Sequence, residues 1–188
     1  MIFLIDWCFS SMLHCDCMDM EQHLRSRWFD PGRYSGVWIE PGVSVTVAMW
    51  NFSGQMVGYQ KYEPGAPRLH DNGAYSRYHS WFGEGKIGAW GLESVDWRGG
   101  DLFLVEGIFN ASRLHLHGLQ AVAVIANDPK HLRNWLKQLP HRKIAVLDGD
   151  AAGAKLAKYA DVSLQMPPKE DVNSLSEPKF KEFFAPWL

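Results

Sequence analysis

Cysteine is scarce and confined to one place: Cys8, Cys15 and Cys17 are the only three, all near the start of the chain. An odd, clustered set builds no disulfide framework and suits a reducing compartment. His14-Cys15-Asp16-Cys17 has residue types that zinc accepts, but no second pair at Cys-x-x-Cys or His-x-x-x-His spacing follows to close a tetrahedron. Long apolar runs are also missing. Nothing approaches the roughly 18 residues a membrane helix needs. The apolar opening Met1 to Ile5 is cut at Asp6, with no basic segment before it, so no secretory signal is expected. The expected location is cytoplasmic, with no membrane partner. Positive charge is not in excess either: 19 Lys+Arg stand against 21 Asp+Glu, a formal net charge of -2. No global basic field advertises nucleic acid, so such a role needs a local groove. Internal repeats and low-complexity segments are absent.

What is present is an ordinary globular composition, 46% hydrophobic and 21% charged over 188 residues, with nine Trp. These Trp read first as core and surface packing, and second as a stacking platform for bases. Asp19 to Trp28 predicts a short helix, capped by Asp19 and stopped by Asp30-Pro31-Gly32. Strands and turns follow. Val43 to Trp50 and Gln55 to Glu63 predict a hairpin about the turn Asn51 to Gly54. Tyr75 to Trp81 and Lys86 to Leu92 predict two further strands.

After Arg98-Gly99-Gly100, a predicted junction, the pattern changes to strand–helix alternation. Strands are expected at Asp101–Val105, Ala121–Ala126, Arg142–Leu147 and Val162–Gln165. Helices are expected from Ile108 to His117, from Asp128 as N-cap to about Leu139, from Ala151 to Ala160, and near Lys179 to Phe184. Such alternation implies a parallel sheet flanked by helices, with right-handed crossovers. The expected organisation is two units, residues 1–97 as a smaller α+β unit with antiparallel strands and 98–188 as the α/β unit.

Two strands of the second unit end in acids: Glu106-Gly107 and Asp148-Gly149-Asp150. In a parallel sheet their carboxyl ends share one edge, where ligands of open α/β folds bind. Gly107 is expected to permit a tight turn and close approach of backbone to a ligand. A later acidic stretch, Lys169-Glu170-Asp171-Val172-Asn173, can return to the same edge. Carboxylates around a hard cation orient and neutralise a triphosphate, which is most of what phosphoryl transfer asks of a protein. Two other uses of Asp-x-Asp fit poorly. A dehalogenase-type site places it near the start of its domain with Thr or Val at the fifth position, which here is Ala152. A calcium loop needs ligands where this chain has Ala152 and Tyr159. His115 and His117 sit two apart on a predicted helix, face apart, and read as packing or surface residues.

These residues resemble a known family. Val105-Glu106-Gly107 and Val146-Leu147-Asp148-Gly149-Asp150-Ala151-Ala152-Gly153 look like the Toprim domain of primases, topoisomerases and related nucleases. Lys169 to Leu175 resembles the KD-x-N-D-L stretch that follows in primases. The helix Ile108 to His115 is also similar, except that the family often has Asp where this chain has Asn110. In the first half, Gly54 to Gln60 resembles the G-x-L-V-G-x-Q hairpin of primase cores. Arg77-Tyr78-His79-Ser80, Gly85-Lys86 and Ala89-Trp90-Gly91-Leu92 echo the run that follows it. The resemblance spans about Asp19 to Leu175 and is nearest to phage primases of the T7 primase–helicase type.

The resemblance implies a Toprim primase core making short RNA primers on single-stranded DNA from nucleoside triphosphates, with Mg²⁺ or Mn²⁺. Its alternatives are a Toprim nuclease and a non-catalytic replication module. It implies Glu106, Asp148 and Asp150 as catalytic and metal-binding, Asp171 as a further metal ligand, and Lys61, Arg77, Lys86 and Asn173 as nucleotide or template contacts. Tyr78, Trp81 and Trp90 are candidates to stack bases, though strand aromatics more often pack. No four-Cys zinc ribbon or helicase segment is recognisable. Three readings stay open: a free-standing primase core, one that borrows template reading from a partner such as a replicative helicase or separate zinc-binding protein, or a Toprim protein that no longer makes primers, in the host cytoplasm if the chain is phage-encoded.

Overall fold

A computed structural model of the chain describes residues 18–69, 76–126, 128–149 and 153–188. The Cys8–Cys17 cluster, His70, Asn127 and residues 150–152, Asp150 included, lie outside them. Helix α1 (Met20–Ser26) starts where the sequence places a cap: the Asp19 carboxylate accepts from the Gln22 N–H at 3.1 Å. It buries Met20 and Leu24 in the same core as Val45, Val47 and Val57 of the first sheet. That sheet is an antiparallel meander, β1 (Val37–Glu40), β2 (Ser44–Trp50), β3 (Met56–Tyr62) and β4 (Tyr78–Phe82), paired in chain order. The β2–β3 turn is held by the Asn51 side-chain oxygen, which accepts from the backbone N–H of Ser53 and of Gln55 at 3.0 Å each.

The second sheet is parallel: β5 (Asp101–Val105), β6 (Ala121–Ala123), β7 (Arg142–Leu147) and β8 (Val162–Gln165), in the order β6-β5-β7-β8. Its helices are α2 (Ile108–Leu116), α3 (Arg133–Lys137), a 3-10 helix Gly153–Tyr159, and α4 (Glu177–Phe184). The strands read as unbroken apolar runs because both faces are covered. Phe103 and Val105 of β5, with Ile144 and Val146 of β7, face α2, α4 and the first sheet. Leu102, Leu104, Ala145 and Leu147 face Leu132, Trp135 and Leu136 of the α3 region and Leu156 and Tyr159 of the 3-10 helix. This is the α/β architecture, antiparallel part first, that the sequence implies.

The two sheets are joined by backbone as well as by core. Ala89 bridges to Trp50 at the end of β2, and Trp90, fully buried, bridges to Ala123 of β6. The apolar core does not break at Arg98–Gly100, since Val45 and Val57 share a cluster with Phe103 and Val105.

Three elements differ from expectation. Lys86 to Leu92 forms only those two bridges, because Gly88 passes so close to β2 that a Cβ there would meet the Trp50 carbonyl oxygen at 2.6 Å. The expected helix from Asp128 is a 3-10 turn, Lys130–Leu132, followed by the short α3. Asp128 does not cap it: its carboxylate accepts instead from the Tyr159 hydroxyl at 2.6 Å. The helix after Asp150 is 3-10 rather than α over Gly153–Tyr159.

Candidate active site

β5 and β7 are adjacent parallel strands, with Leu104 paired to Ala145. After β5 the chain crosses α2 to β6 on one side. After β6 it returns through α3 to β7 on the other. Strand order therefore reverses between β5 and β7, which opens a crevice at their carboxyl ends. Glu106-Gly107 and Asp148-Gly149 leave the sheet at that point. Both acids, half-buried, line one cavity of ≈ 230 Å³, and Asp171 joins them there.

Gly107 precedes α2 with ordinary extended backbone, φ -116° and ψ 154°, so the tight turn expected of it is not needed. What it contributes is room: a Cβ at Gly107 would meet nothing within 4 Å. The first turn of α2 begins at the cavity, and the N–H groups of a first helical turn lack intrahelical partners and favour anions. Gly149 has the opposite role. A Cβ there would fall 2.0 Å from the Pro167 carbonyl oxygen and 2.8 Å from the Lys169 nitrogen. Its bare backbone lets the 167–170 turn dock, with Gly149 N–H donating to the Glu170 carbonyl at 3.0 Å and Lys169 N–H to the Gly149 carbonyl at 3.2 Å. That turn delivers Asp171.

The Asp171 segment is tied down from behind. The Asp171 carboxylate accepts from the Ser174 N–H at 2.7 Å, while the Ser174 hydroxyl oxygen accepts from the Asp171 N–H at 2.9 Å. Arg113, fully buried on α2, donates to the carbonyls of Val172 at 3.0 Å, Asn173 at 3.2 Å and also Leu175. Its guanidinium lies 4.4 Å from the Trp28 ring and 4.6 Å from the Phe180 ring. Burial pulls its pKa down, opposed by Glu177.

Asn173 N–H donates to Asn110 Oδ1 at 3.1 Å, and Asn110 Nδ2 reaches Asp148 Oδ1 at 3.4 Å. Asn110, on α2, thus couples the two acid-bearing segments.

The first sheet supplies the other wall: Gln60, Tyr78 and, from the end of α1, Arg27. Arg27 donates to the Tyr78 hydroxyl at 2.9 Å and lies 3.8 Å over the Phe109 ring. It is the one cation among the described lining residues. Neither Arg27 nor Gln60 was among the sequence candidates. Gln60 stands at the end of the quoted Gly54–Gln60 stretch, a signal that was available. Arg27 has none, because its approach to α2 depends on how α1 docks.

The proposed nucleotide contacts are placed elsewhere. Lys61 alternates with Gln60 and so lies on the outer face of the first sheet, beside Trp38 and Tyr59, paired to Glu63 at 3.4 Å. Arg77 donates to the Ala66 carbonyl at 3.2 Å, and Lys86 is exposed after the Gly83 turn. The Asn173 amide is a tether: its Nδ2 donates to the carbonyls of Arg27 at 2.8 Å and Phe109 at 3.3 Å. Of the stacking candidates, Tyr78 lines the cavity, Trp81 is exposed on the outer face against Tyr59, and Trp90 is core, stacked on His115.

Among the described residues, no three His, Cys, Asp or Glu side chains stand close enough to hold a metal as a set. Glu106, Asp148 and Asp171 nonetheless give the cavity an all-oxygen donor chemistry, the type that suits Mg²⁺ or Mn²⁺.

A carboxylate-bearing edge at the switch point of an open parallel sheet, faced by an antiparallel sheet, defines a recognised architecture. No family model and no curated protein matches the sequence. Solved structures do match the fold. The primase fragment of the bacteriophage T7 primase–helicase protein aligns at TM-score 0.58 and 14% identity, covering 80% of this chain and 65% of that one. The Escherichia coli primase catalytic core aligns at 0.56 and 20%, covering 76% and 50%. The catalytic domain of the primase DnaG bound to single-stranded DNA aligns at 0.56 and 18%, covering 88% and 56%. The chain has the fold of primase catalytic cores and spans about half to two-thirds of the length of these neighbours. No helix among the described residues is long and apolar enough to cross a membrane.

Proposed function

We propose that the chain is a DNA primase core of the Toprim type, which joins ribonucleoside triphosphates into short primers along a single-stranded DNA template. One observation carries this reading. Glu106 and Asp148 stand at the carboxyl ends of adjacent parallel strands and share a cavity with Arg27 and the start of α2, in a chain with the primase-core fold.

In the reaction the primer 3′-hydroxyl oxygen attacks the α-phosphorus of the incoming nucleotide. A P–O bond forms, the α–β anhydride breaks, and pyrophosphate leaves with the electron pair. Arg27 and the first turn of α2 bind phosphate oxygens and orient the triphosphate. Glu106 receives the hydroxyl proton. Asn110 fixes the rotamer of Asp148 through its 3.4 Å contact. Asp148, Asp150 and Asp171 with Glu106 would hold Mg²⁺ or Mn²⁺, which would supply charge neutralisation for the phosphates. Tyr78 and Gln60 give the wall facing the template or nucleotide base.

The test is Asp148→Ala in a primer-synthesis assay on mixed single-stranded templates with either cation. The expected loss is about a hundredfold or more. Near-wild-type synthesis would sink the assignment. Cleavage of a labelled strand without nucleotides would transfer the same acids to a nuclease. Absence of both activities, together with a stable complex with a replication protein, would favour an accessory module.

A further inference from the structure

Away from the cavity, the opposite face of the parallel sheet carries a basic groove between α3 and the 3-10 helix Gly153–Tyr159. A pocket of ≈ 460 Å³ there is lined by Arg133, Lys137, Lys143 and Lys158, with the Tyr159 ring and Leu136 among its apolar walls. Lys130 extends it, paired at 3.8 Å with Asp128, whose carboxylate holds the Tyr159 hydroxyl, and so does Lys155, which shares the face of Lys158 three residues on in the 3-10 helix. Six of the chain's 19 Lys and Arg therefore lie in one band, and the acids they meet among the described residues are Asp128 and Asp161, in a protein of net charge -2. Both acids are already engaged. Asp128 accepts from the Tyr159 hydroxyl at 2.6 Å, and Asp161 accepts from the Lys143 N–H at 2.7 Å. Lys143 has a side chain only 14% exposed and is anchored on the His141 carbonyl at 2.7 Å, and Lys130, though exposed, is paired with Asp128 at 3.8 Å, whereas Arg133, Lys137, Lys155 and Lys158 are exposed and able to reach a ligand.

The direction of the band matters as much as its charge. Asp128 follows β6 and Lys155 follows β7, so that end lies at the carboxyl edge of the sheet, where Asp148 also emerges. Lys143 opens β7 and Asp161 precedes β8, so the other end lies at the opposite edge. Between them the seven-residue 3-10 helix gives a track about 14 Å long at about 2 Å per residue. Such a track is long enough for several phosphates of one strand.

We infer that this groove binds the phosphate backbone of a single polynucleotide strand and leads it along the sheet face from the catalytic edge. The inference deepens the primase reading and rests on it for the choice of nucleic acid as ligand. Mutual repulsion of six cations is relieved by phosphate, with release of counterions, so binding must be salt-dependent.

The test is fluorescence anisotropy of a labelled single strand of about 20 nucleotides, without nucleoside triphosphates and in a chelator, against salt. The triple variant Arg133→Gln/Lys137→Gln/Lys158→Gln changes exposed side chains only, and its fold is checked by its thermal melt. It is expected to bind about tenfold or more weakly, with the log–log salt slope reduced by about 2 for three lost phosphate contacts. The milder pair Lys137→Gln/Lys158→Gln should fall between. Triple-variant binding within about twofold of wild type would overturn the inference. Asp148→Ala, measured alongside, is expected to bind the strand normally. Its synthesis reports on the primase reading, and the triple variant's binding reports on the groove.

Discussion

Glu106-Gly107 and Asp148-Gly149 are the same device in sequence: an apolar strand, an acid, a glycine. In space the two glycines do opposite things. Gly107 faces open volume, with nothing within 4 Å of where its Cβ would be, while Gly149 is pressed against a backbone carbonyl that a Cβ would meet at 2.0 Å. The first glycine leaves room for a ligand. The second lets one part of the protein reach another, and through that contact a third carboxylate, Asp171, arrives at the cavity. An acid–glycine pair at a strand end thus locates a site, but only the surroundings say whether the glycine belongs to the ligand or to the fold.

The largest effect that follows is on Gly149. Gly149→Ala puts a methyl into the Pro167 carbonyl and the Lys169 nitrogen, both backbone atoms that yield only if the 167–170 turn lifts away. The lift would cost the two backbone hydrogen bonds of Gly149 as well. Urea unfolding is expected to show a loss of about 4 kcal/mol. A variant as stable as wild type would erase the distinction between the two glycines.

The next effect concerns the two ends of α2. The helix begins in the polar cavity and ends at His115, buried between Trp90 and Tyr34. His115 Nε2 donates to the Ala121 carbonyl at 2.9 Å, leaving Nδ1 to accept from the Tyr34 hydroxyl at 3.1 Å. Burial holds the imidazole down at about 4, against 6.5 for a free histidine. Above about pH 6.5 neither the folded nor the unfolded chain carries this proton. Between 6.5 and 4 only the unfolded chain binds it, so stability falls with falling pH across that window and levels below it. The expected loss reaches about 3 kcal/mol. In His115→Gln the same acid titration, followed by thermal melts, should be flatter. An equal slope in both proteins would assign the acid sensitivity to other groups.

Asn110 sits between the two acid loops and sharpens their coupling. Asn110→Ala removes the donor to Asp148 and leaves the Asn173 N–H without its acceptor, at a cost of about 2 kcal/mol. Primer synthesis is expected to fall about tenfold, because Asp148 loses a fixed rotamer. Asn110→Asp keeps the acceptor for Asn173 but sets a second negative charge beside Asp148. Because added negative charge beside a ligand carboxylate tightens the hold on a hard cation, its synthesis should need less cation than the wild type, read as a leftward shift of the Mg²⁺ titration. An unchanged titration would mean that position 110 does not sense the charge at Asp148.

Much of this was legible in the chain. β5 is where its apolar run ends, Asp101–Val105, and α1 begins where Asp19 can cap it. Those signals are local: side-chain period, cap chemistry, a run of β-branched residues. The unreadable parts depend on partners distant in sequence. β1 is four residues long with half its side chains exposed, too short for a period to register. Asp128 looks like a cap until Tyr159, far along the chain, takes its carboxylate. Arg27 is held at the cavity by partners far along the chain: Asn173 takes its carbonyl, Tyr78 its guanidinium, and Phe109 lies beneath it. The acids of the site were visible, because strand ends are local. The cation that serves them was not.

The smallest expected change in stability completes the contrast with Gly149. Gly107→Ala places a methyl in open volume on backbone any residue adopts, φ -116°. Unfolding should shift by no more than about 1 kcal/mol, as a small loss, because Gly107 is the N-cap of α2 and alanine is a poorer cap. The consequence belongs to the ligand instead. If the triphosphate lies against the start of α2, the methyl occupies its space and synthesis falls about tenfold while the protein stays folded. The effect should appear mainly as a raised KM for nucleotides, since the acids themselves are untouched. A Gly107→Ala protein with wild-type kinetics would mean that the open volume beside Glu106 is not where the nucleotide sits, and the phosphate-binding role of α2 would have to be given up.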